Sequence, residues 1–237
     1  FDIVFSYGYE NEKIVNGWVE KKIRNYTYYE THLGDLHLQL LIRGKDHYLK
    51  VYNDGKEPIT GFVGIRYSWK KREDDYTLIP AIYYDGNYFP DQKNFPVIHM
   101  PERPVFQSSF SASTFPSVLV KEGNKGYYYE LSHKSYAGWN GVELNAEKET
   151  LTIYAPAKEK DTYNFSNVHK SRLPCIWQYK DVVTIRFSRI KFECNSISDL
   201  FDYHWEKVIN SEFYPAYNIP KFSENEGAAK VRDFIFE

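Results

Sequence analysis

The sequence predicts an all-β protein, a large antiparallel β-sandwich that ends in a helix and a helical linker. Three observations carry that prediction. Aromatic residues make up 18% of the chain, with 22 Tyr and 16 Phe, and such side chains fit a half-buried pleated surface. Apolar residues recur at every second position in several stretches, the period of a strand with one buried face. Polar turn sequences separate those stretches, among them Asn53-Asp54-Gly55 and Glu122-Gly123-Asn124-Lys125, whose residue types tolerate tight turns. At 237 residues the chain is long enough to bury a substantial core.

Taken in order, residues 1–16 read as an edge strand or lead-in segment, and residues 17–30 as sheet. In residues 36–43, Leu36, Leu38, Leu40 and Ile42 share one face while His37, Gln39 and Arg43 take the other. Residues 47–52 repeat the alternation, and residues 58–69 answer with Val63, Ile65, Tyr67 and Trp69. Residues 36–69 together read as an antiparallel meander. Residues 70–75 are all charged and read as a solvated loop tip. In residues 77–89 an apolar run leads into tyrosines around a turn at Asp85-Gly86-Asn87; Pro90, Pro96, Pro101 and Pro104 then define a long loop. The serine-rich residues 106–114 read as loop. Residues 117–120 and 126–131 form one strand pair, and residues 142–146 and 151–155 a hairpin. Residues 157–174 look irregular. In residues 182–194 the apolar phase slips at Ser188-Arg189, which predicts a bulge. Ser196 with Asp199 three residues later marks a helix start. After a linker with Pro215 and Pro220, Ser223 and Glu226 mark a second helix, whose pattern is still running at Glu237. The expected division is therefore a β-sandwich over residues 1–195 and a helix, linker and start of a helical region over residues 196–237. The chain begins at Phe1, as a processed or excerpted chain would.

Composition excludes several classes. With 30 basic and 32 acidic residues the net charge is −2, so no broad field of one sign favours nucleic acid or an acidic membrane surface. No apolar run approaches the ~20 residues of a membrane helix. Cys175 and Cys194 are too few for a disulfide scaffold or a cysteine zinc site; they read as two separate buried thiols, or as a pair if their strands are neighbours. No cofactor motif is present, and no Gly-x-Ser-x-Gly elbow accompanies Ser108, Ser109, Ser111 and Ser113.

The arrangement resembles the N-terminal β-sandwich domains of bacterial glycoside hydrolases and polysaccharide lyases with an α/α-toroid catalytic domain, sandwiches similar to the galactose-mutarotase-like supersandwich. The likeness lies in Leu78-Ile79-Pro80-Ala81-Ile82-Tyr83-Tyr84-Asp85-Gly86-Asn87, in the late strand running into Ser196-Ile197-Ser198-Asp199-Leu200-Phe201-Asp202-Tyr203, and in the linker entering a capped helix. It implies a carbohydrate partner and a non-catalytic accessory role. The sandwich would brace a C-terminal helical catalytic domain and lend a loop to its cleft rim. It also implies an extracellular or periplasmic setting. A free-standing carbohydrate-binding module remains an alternative, as does an aldose-epimerase-like enzyme pairing a histidine (His37, His99 or His133) with Glu143 or Glu193.

The candidate sugar-binding residues follow from chemistry. Tyrosine rings stack on apolar sugar faces and short polar side chains bond hydroxyls, which singles out Tyr83, Tyr84, Asp85, Asn87 and Tyr88. Trp139 and Asn140, between Gly138 and Gly141, offer a second platform, and Arg103 a clamp for a carboxylate. For each, packing or turn formation is the competing reading. No metal site is expected: His32 and His37, five apart, would fall on opposite faces of a strand.

Overall fold

A computed structural model describes residues 1–84 except 25, 71, 73 and 74, residues 105–158 except 111, 112, 114, 133, 136 and 137, residues 163, 164, 167 and 168, and residues 173–210. The chain divides into a compact unit, Phe1–Leu200, and a second, Phe201–Glu237.

Residues 1–84 supply nine of the described strands. β1 (Asp2–Tyr7) and β2 (Asn11–Ile14) form a hairpin. β3 (Val19–Ile23), β4 (Tyr26–Leu33), β5 (Leu36–Arg43) and β6 (Asp46–Asn53) form a four-stranded meander. β7 (Ile59–Ser68) is followed by β8 (Tyr76–Ile79) and β9 (Tyr83–Tyr84). Then come β10 (Val105–Ser109), β11 (Ser117–Glu122), β12 (Lys125–Leu131), β13 (Lys134–Ser135), β14 (Gly138–Trp139), β15 (Gly141–Asn145) and β16 (Thr150–Ala155). β17 (Tyr163–Asn164), β18 (Asn167–Val168), β19 (Cys175–Trp177) and β20 (Val182–Glu193) precede the helix α1 (Ile197–Ile209).

β13-β14 and β17-β18 pair separately, and the other strands make two large antiparallel sheets. One runs β10-β15-β16-β7-β1-β2, with β19 also on β7; the other runs β3-β4-β5-β6-β20-β12-β11-β8-β9. Alternation puts Phe5, Ile65, Leu144 and Ile153 of the first sheet into one buried cluster with Leu38, Leu49, Val51, Val183 and Ile185 of the second, around Trp177. The expected all-β sandwich is the observed one.

Several local expectations fail for physical reasons. β1 is no edge: it lies between β2 and β7 and is buried along Ile3, Val4 and Phe5. The meander does not continue into β7. The Asn53 amide donates to the carbonyls of Glu57 and Trp177 at 2.8 Å each, and the chain crosses to the facing sheet. Strands facing each other across a core and strands paired edge to edge bury the same phase, so the pattern alone does not separate them. No bulge interrupts β20: its register is continuous against β6 over Val182–Ser188 and against β12 over Phe187–Glu193. The apparent phase slip comes from the outer face, where Phe192 stands opposite Gly126. A Cβ on Gly126 would meet the Phe192 ring at 2.3 Å, so the ring occupies the place of the missing side chain. The serine-rich stretch is strand at its start, β10, paired to β15.

The helix start matches its motif. Asp199 Oδ2 accepts the Ser196 N–H at 2.9 Å, and Ser196 Oγ accepts the Asp199 N–H at 3.2 Å, the reciprocal bonds of a capping box. Cys175 and Cys194 are free and buried. The second expected helix and the linker lie outside the described residues.

Candidate functional site

Because Val63, Ile65 and Tyr67 of β7 enter the main core, Phe62 and Arg66 point to the other face of that sheet. Register extends Arg66 into a row across four strands: Arg66 stands opposite Thr152, Thr152 opposite Glu143, and Glu143 opposite Gln107. Tyr154 lies two residues along β16 from Thr152, on the same face, and Glu12 reaches in from β2.

The row is charged, yet enclosed. The side chains of Glu12, Arg66 and Lys158 are 14%, 11% and 7% exposed. Arg66 Nη2 lies 2.5 Å from Glu12 Oε1, and Arg66 Nε donates to Thr152 Oγ1 at 3.1 Å. The Tyr154 hydroxyl donates to Glu12 Oε2, and Lys158 Nζ stands 3.8 Å from the same oxygen. Lys158 also sits 5.1 Å from the centre of the Tyr154 ring. Gln107 Nε2 donates to Glu143 Oε2 at 2.7 Å.

Protonation states follow from this geometry. Burial pushes the Glu12 carboxyl up, but the bonds from Arg66 and Tyr154 and the charges of Arg66 and Lys158 outweigh it, so Glu12 titrates below the usual carboxylate range. Burial lowers Lys158, against the opposing pull of Glu143 and Glu12. Burial, then the charges of Glu143 and Glu12, drive the Tyr154 hydroxyl far up, so it stays a donor. A carboxylate held ionised by three partners is a poor proton acceptor. Glu12 therefore acts as the anchor that orders Arg66, Tyr154 and Lys158. The set offers further N–H donors on Arg66 and Lys158 beside the acceptor oxygens of Glu143, while the single Tyr154 proton is committed to Glu12.

Among the described residues, the sugar-binding candidates singled out in the sequence are not part of this row, whereas Glu143, named there as a possible base, is. Tyr83 is a correction: at 4% exposure it packs in the main core, and its ring has no face left for a sugar. The chain turns before it, over residues 80–82, with Ala81 at φ 65°. Tyr84 is 41% exposed, and its hydroxyl accepts the Ala81 N–H at 3.1 Å. Asp85, Asn87, Tyr88 and Arg103 lie outside the described residues. Trp139 is half-buried, with Lys134 Nζ 4.2 Å over its ring. Asn140 is buried, and its amide donates to Ser132 O at 2.8 Å, which fixes the chain beside β14.

The histidine–glutamate pairs considered for proton transfer are not assembled by the described residues. His37 and Glu143 belong to different sheets, and Glu193 lies eleven residues along β20 from the position level with His37, roughly 35 Å away. His99 and His133 lie outside the described residues. The reading of His32 and His37 on opposite faces is corrected: the two stand directly opposite each other across β4 and β5. Together with Asp54 they present ligand atoms within 4.8 Å of one another.

Fold and site thus define an antiparallel β-sandwich with a charged, enclosed face on one sheet. No family model and no curated protein matches the sequence. Among solved structures the chain is similar to a galactose mutarotase-like protein from Lactobacillus casei, at 7% identity and a TM-score of 0.41, over 80% of this chain and 84% of that one. A galactose mutarotase-like protein from Clostridium acetobutylicum is similar at 12% identity and 0.39, over 74% and 66%. A polysaccharide lyase is similar at 12% identity and 0.34, over 87% of this chain and 27% of the lyase. At such identities no residue role passes from those proteins to this one.

Proposed function

We propose that this chain is the carbohydrate-binding, non-catalytic β-sandwich of a carbohydrate-degrading enzyme, and that its sugar seat is the charged face built on Arg66, Lys158 and Glu143, ordered from beneath by Glu12 and Tyr154. One observation carries the reading: charged side chains ordered by one another on a sheet face, enclosed rather than fanned into solvent. Saccharide hydroxyls donate and accept at once, and a fixed set of both partner types suits them. Glu12 supplies order, not chemistry, because its oxygens are engaged by Arg66, Tyr154 and Lys158. The helical start at α1 fits a following helical catalytic domain, and a polysaccharide-degrading assembly of this kind works outside the cytoplasm.

Calorimetric titration of the chain with a panel of neutral and uronic-acid oligosaccharides tests the reading. Binding by the wild type is expected, and Glu143→Gln is expected to weaken it by about tenfold or more, as loss of a charge-assisted hydrogen bond does. Retained binding in Glu143→Gln and Arg66→Met, or none by a wild-type chain with cooperative unfolding, overturns it. Polarimetry on free aldoses covers the epimerase-like alternative, which requires accelerated anomer interconversion.

A further inference from the structure

The outer face of the nine-stranded sheet carries a separate cluster. β4 and β5 are joined by the two-residue turn Gly34-Asp35, and Gly34 has φ 61°, as the first place of a type II′ turn requires. Leu33 closes the hairpin opposite Leu36, which sets His32 opposite His37. Their rings stack 4.4 Å apart at 7°. The next strand brings Tyr52 opposite His37, with ring centres 5.5 Å apart. Asp54 follows, and its N–H donates to Asp35 O at 2.9 Å. One turn therefore aligns both histidines and holds the backbone of Asp54 beside them.

His37 Nδ1 lies 3.5 Å from Asp54 Oδ2. Its other nitrogen, Nε2, is buried, faces Glu30 Oε2 at 3.7 Å and has no hydrogen-bond partner. Glu30 is itself held by Lys21 at 3.4 Å. Two ligand atoms that each sit ~2.0–2.1 Å from a tetrahedral ion stand roughly 3.3–3.4 Å apart, close to the His37–Asp54 separation. His32 is exposed, so rotation of its side chain closes the third position without disturbing the core. A carboxylate on the second nitrogen of a ligating histidine is the usual outer partner that fixes its tautomer and orientation, and Glu30 stands in that place.

We propose that His32, His37 and Asp54 bind one divalent transition-metal ion of the zinc class. Glu30 orients His37, and the ion clips β4, β5 and the end of β6 together. Two imidazoles and one carboxylate leave a tetrahedral ion one open position. The competing account is an ion pair of protonated His37 with Asp54 and Glu30 and no metal.

The test is titration of the metal-free full chain with zinc chloride by calorimetry, with a chromophoric chelator in competition and thermal unfolding as a second readout. One equivalent of zinc is expected to bind and to raise the unfolding temperature. His32→Gln and Asp54→Asn are each expected to weaken binding by tenfold or more, and Glu30→Gln, which keeps all three ligands, by about tenfold. His32→Gln without zinc should unfold where the wild type does, because His32 is exposed; that separates lost binding from lost fold. No saturable binding at ~0.1 mM zinc, or an affinity unchanged in both His32→Gln and Asp54→Asn, overturns the proposal.

Discussion

Glu12→Gln isolates the anchoring role of the charged face. The substitution keeps size and shape and removes the charge that Arg66 and Lys158 share, leaving two cations that are 11% and 7% exposed. At an effective dielectric of ~20, attraction is about 6.6 kcal/mol at 2.5 Å and about 4.4 kcal/mol at 3.8 Å. Desolvation offsets much of this, and removal of one partner from a buried pair typically costs about 3–5 kcal/mol. With a urea dependence of about 2–3 kcal/mol per molar, the unfolding midpoint, followed by tryptophan fluorescence at pH 7, should fall by about 1–2.5 M. The double variant Glu12→Gln/Arg66→Met should recover part of that loss, since it removes the orphaned guanidinium. The same carboxyl shapes the acid limb. Its folded titration lies below the unfolded value of about 4.5, so its contribution is complete above that pH and disappears as pH falls through the folded value. Glu12→Gln should therefore lose less stability than the wild type between neutral and acid pH. A midpoint within about 0.3 M of wild type, or strictly additive losses in the double variant, refutes the anchoring role.

Two further outcomes follow from burial. Tyr83→Ala should destabilise the sandwich by about 3–5 kcal/mol, while Tyr84→Ala, 41% exposed, should shift stability by no more than about 1 kcal/mol; equal effects in urea unfolding contradict the assignment of Tyr83 to the core. Burial pushes the Cys175 thiol up to about 12 and also raises Cys194, so a thiol-specific chromogenic disulfide at pH 8 should label neither in the folded chain and both in denaturant, with rapid labelling of the folded chain as the contrary result.

The strands of the sandwich were legible because burial imposes a period of two, and Leu36, Leu38 and Leu40 or Val183, Ile185 and Phe187 each display it. Sheet membership was not, because β6 and β7 bury the same phase whether they pair or face each other. The His32–His37 contact was hidden for a related reason. Counting five residues along a single strand separates the rings, whereas the Gly34-Asp35 turn between them folds the count back and superposes them. The tyrosine-rich stretch misled in the opposite sense. Alternation sends Tyr83 inward and leaves Tyr84 outside, and a residue type suited to ligand contact is equally suited to a core.

The charged face illustrates why polar residues in the outward phase of a strand are ambiguous. Arg66 alternates with Ile65 and Tyr67, and Glu143 with Val142 and Leu144, so each reads as solvated when its strand is taken alone. The chain nevertheless held a clue in β1, where Ile3, Val4 and Phe5 are apolar without interruption. A strand apolar on both phases is covered on both faces. Val4 lies in the phase that shares its face with Phe62 and Tyr154, and those three form a small cluster of their own outside the main core. That apolar cluster, with Tyr9 packed on it, shows this part of the face to be buried, and burial makes the charge of Arg66, Lys158 and Glu12 costly unless paired. Mutual pairing reduces the cost without making the arrangement cheaper than an apolar face would be. Ordered donors and acceptors at positions where hydrophobic residues would bury as well are the physical reason to look for a polar ligand there rather than at the aromatic turn.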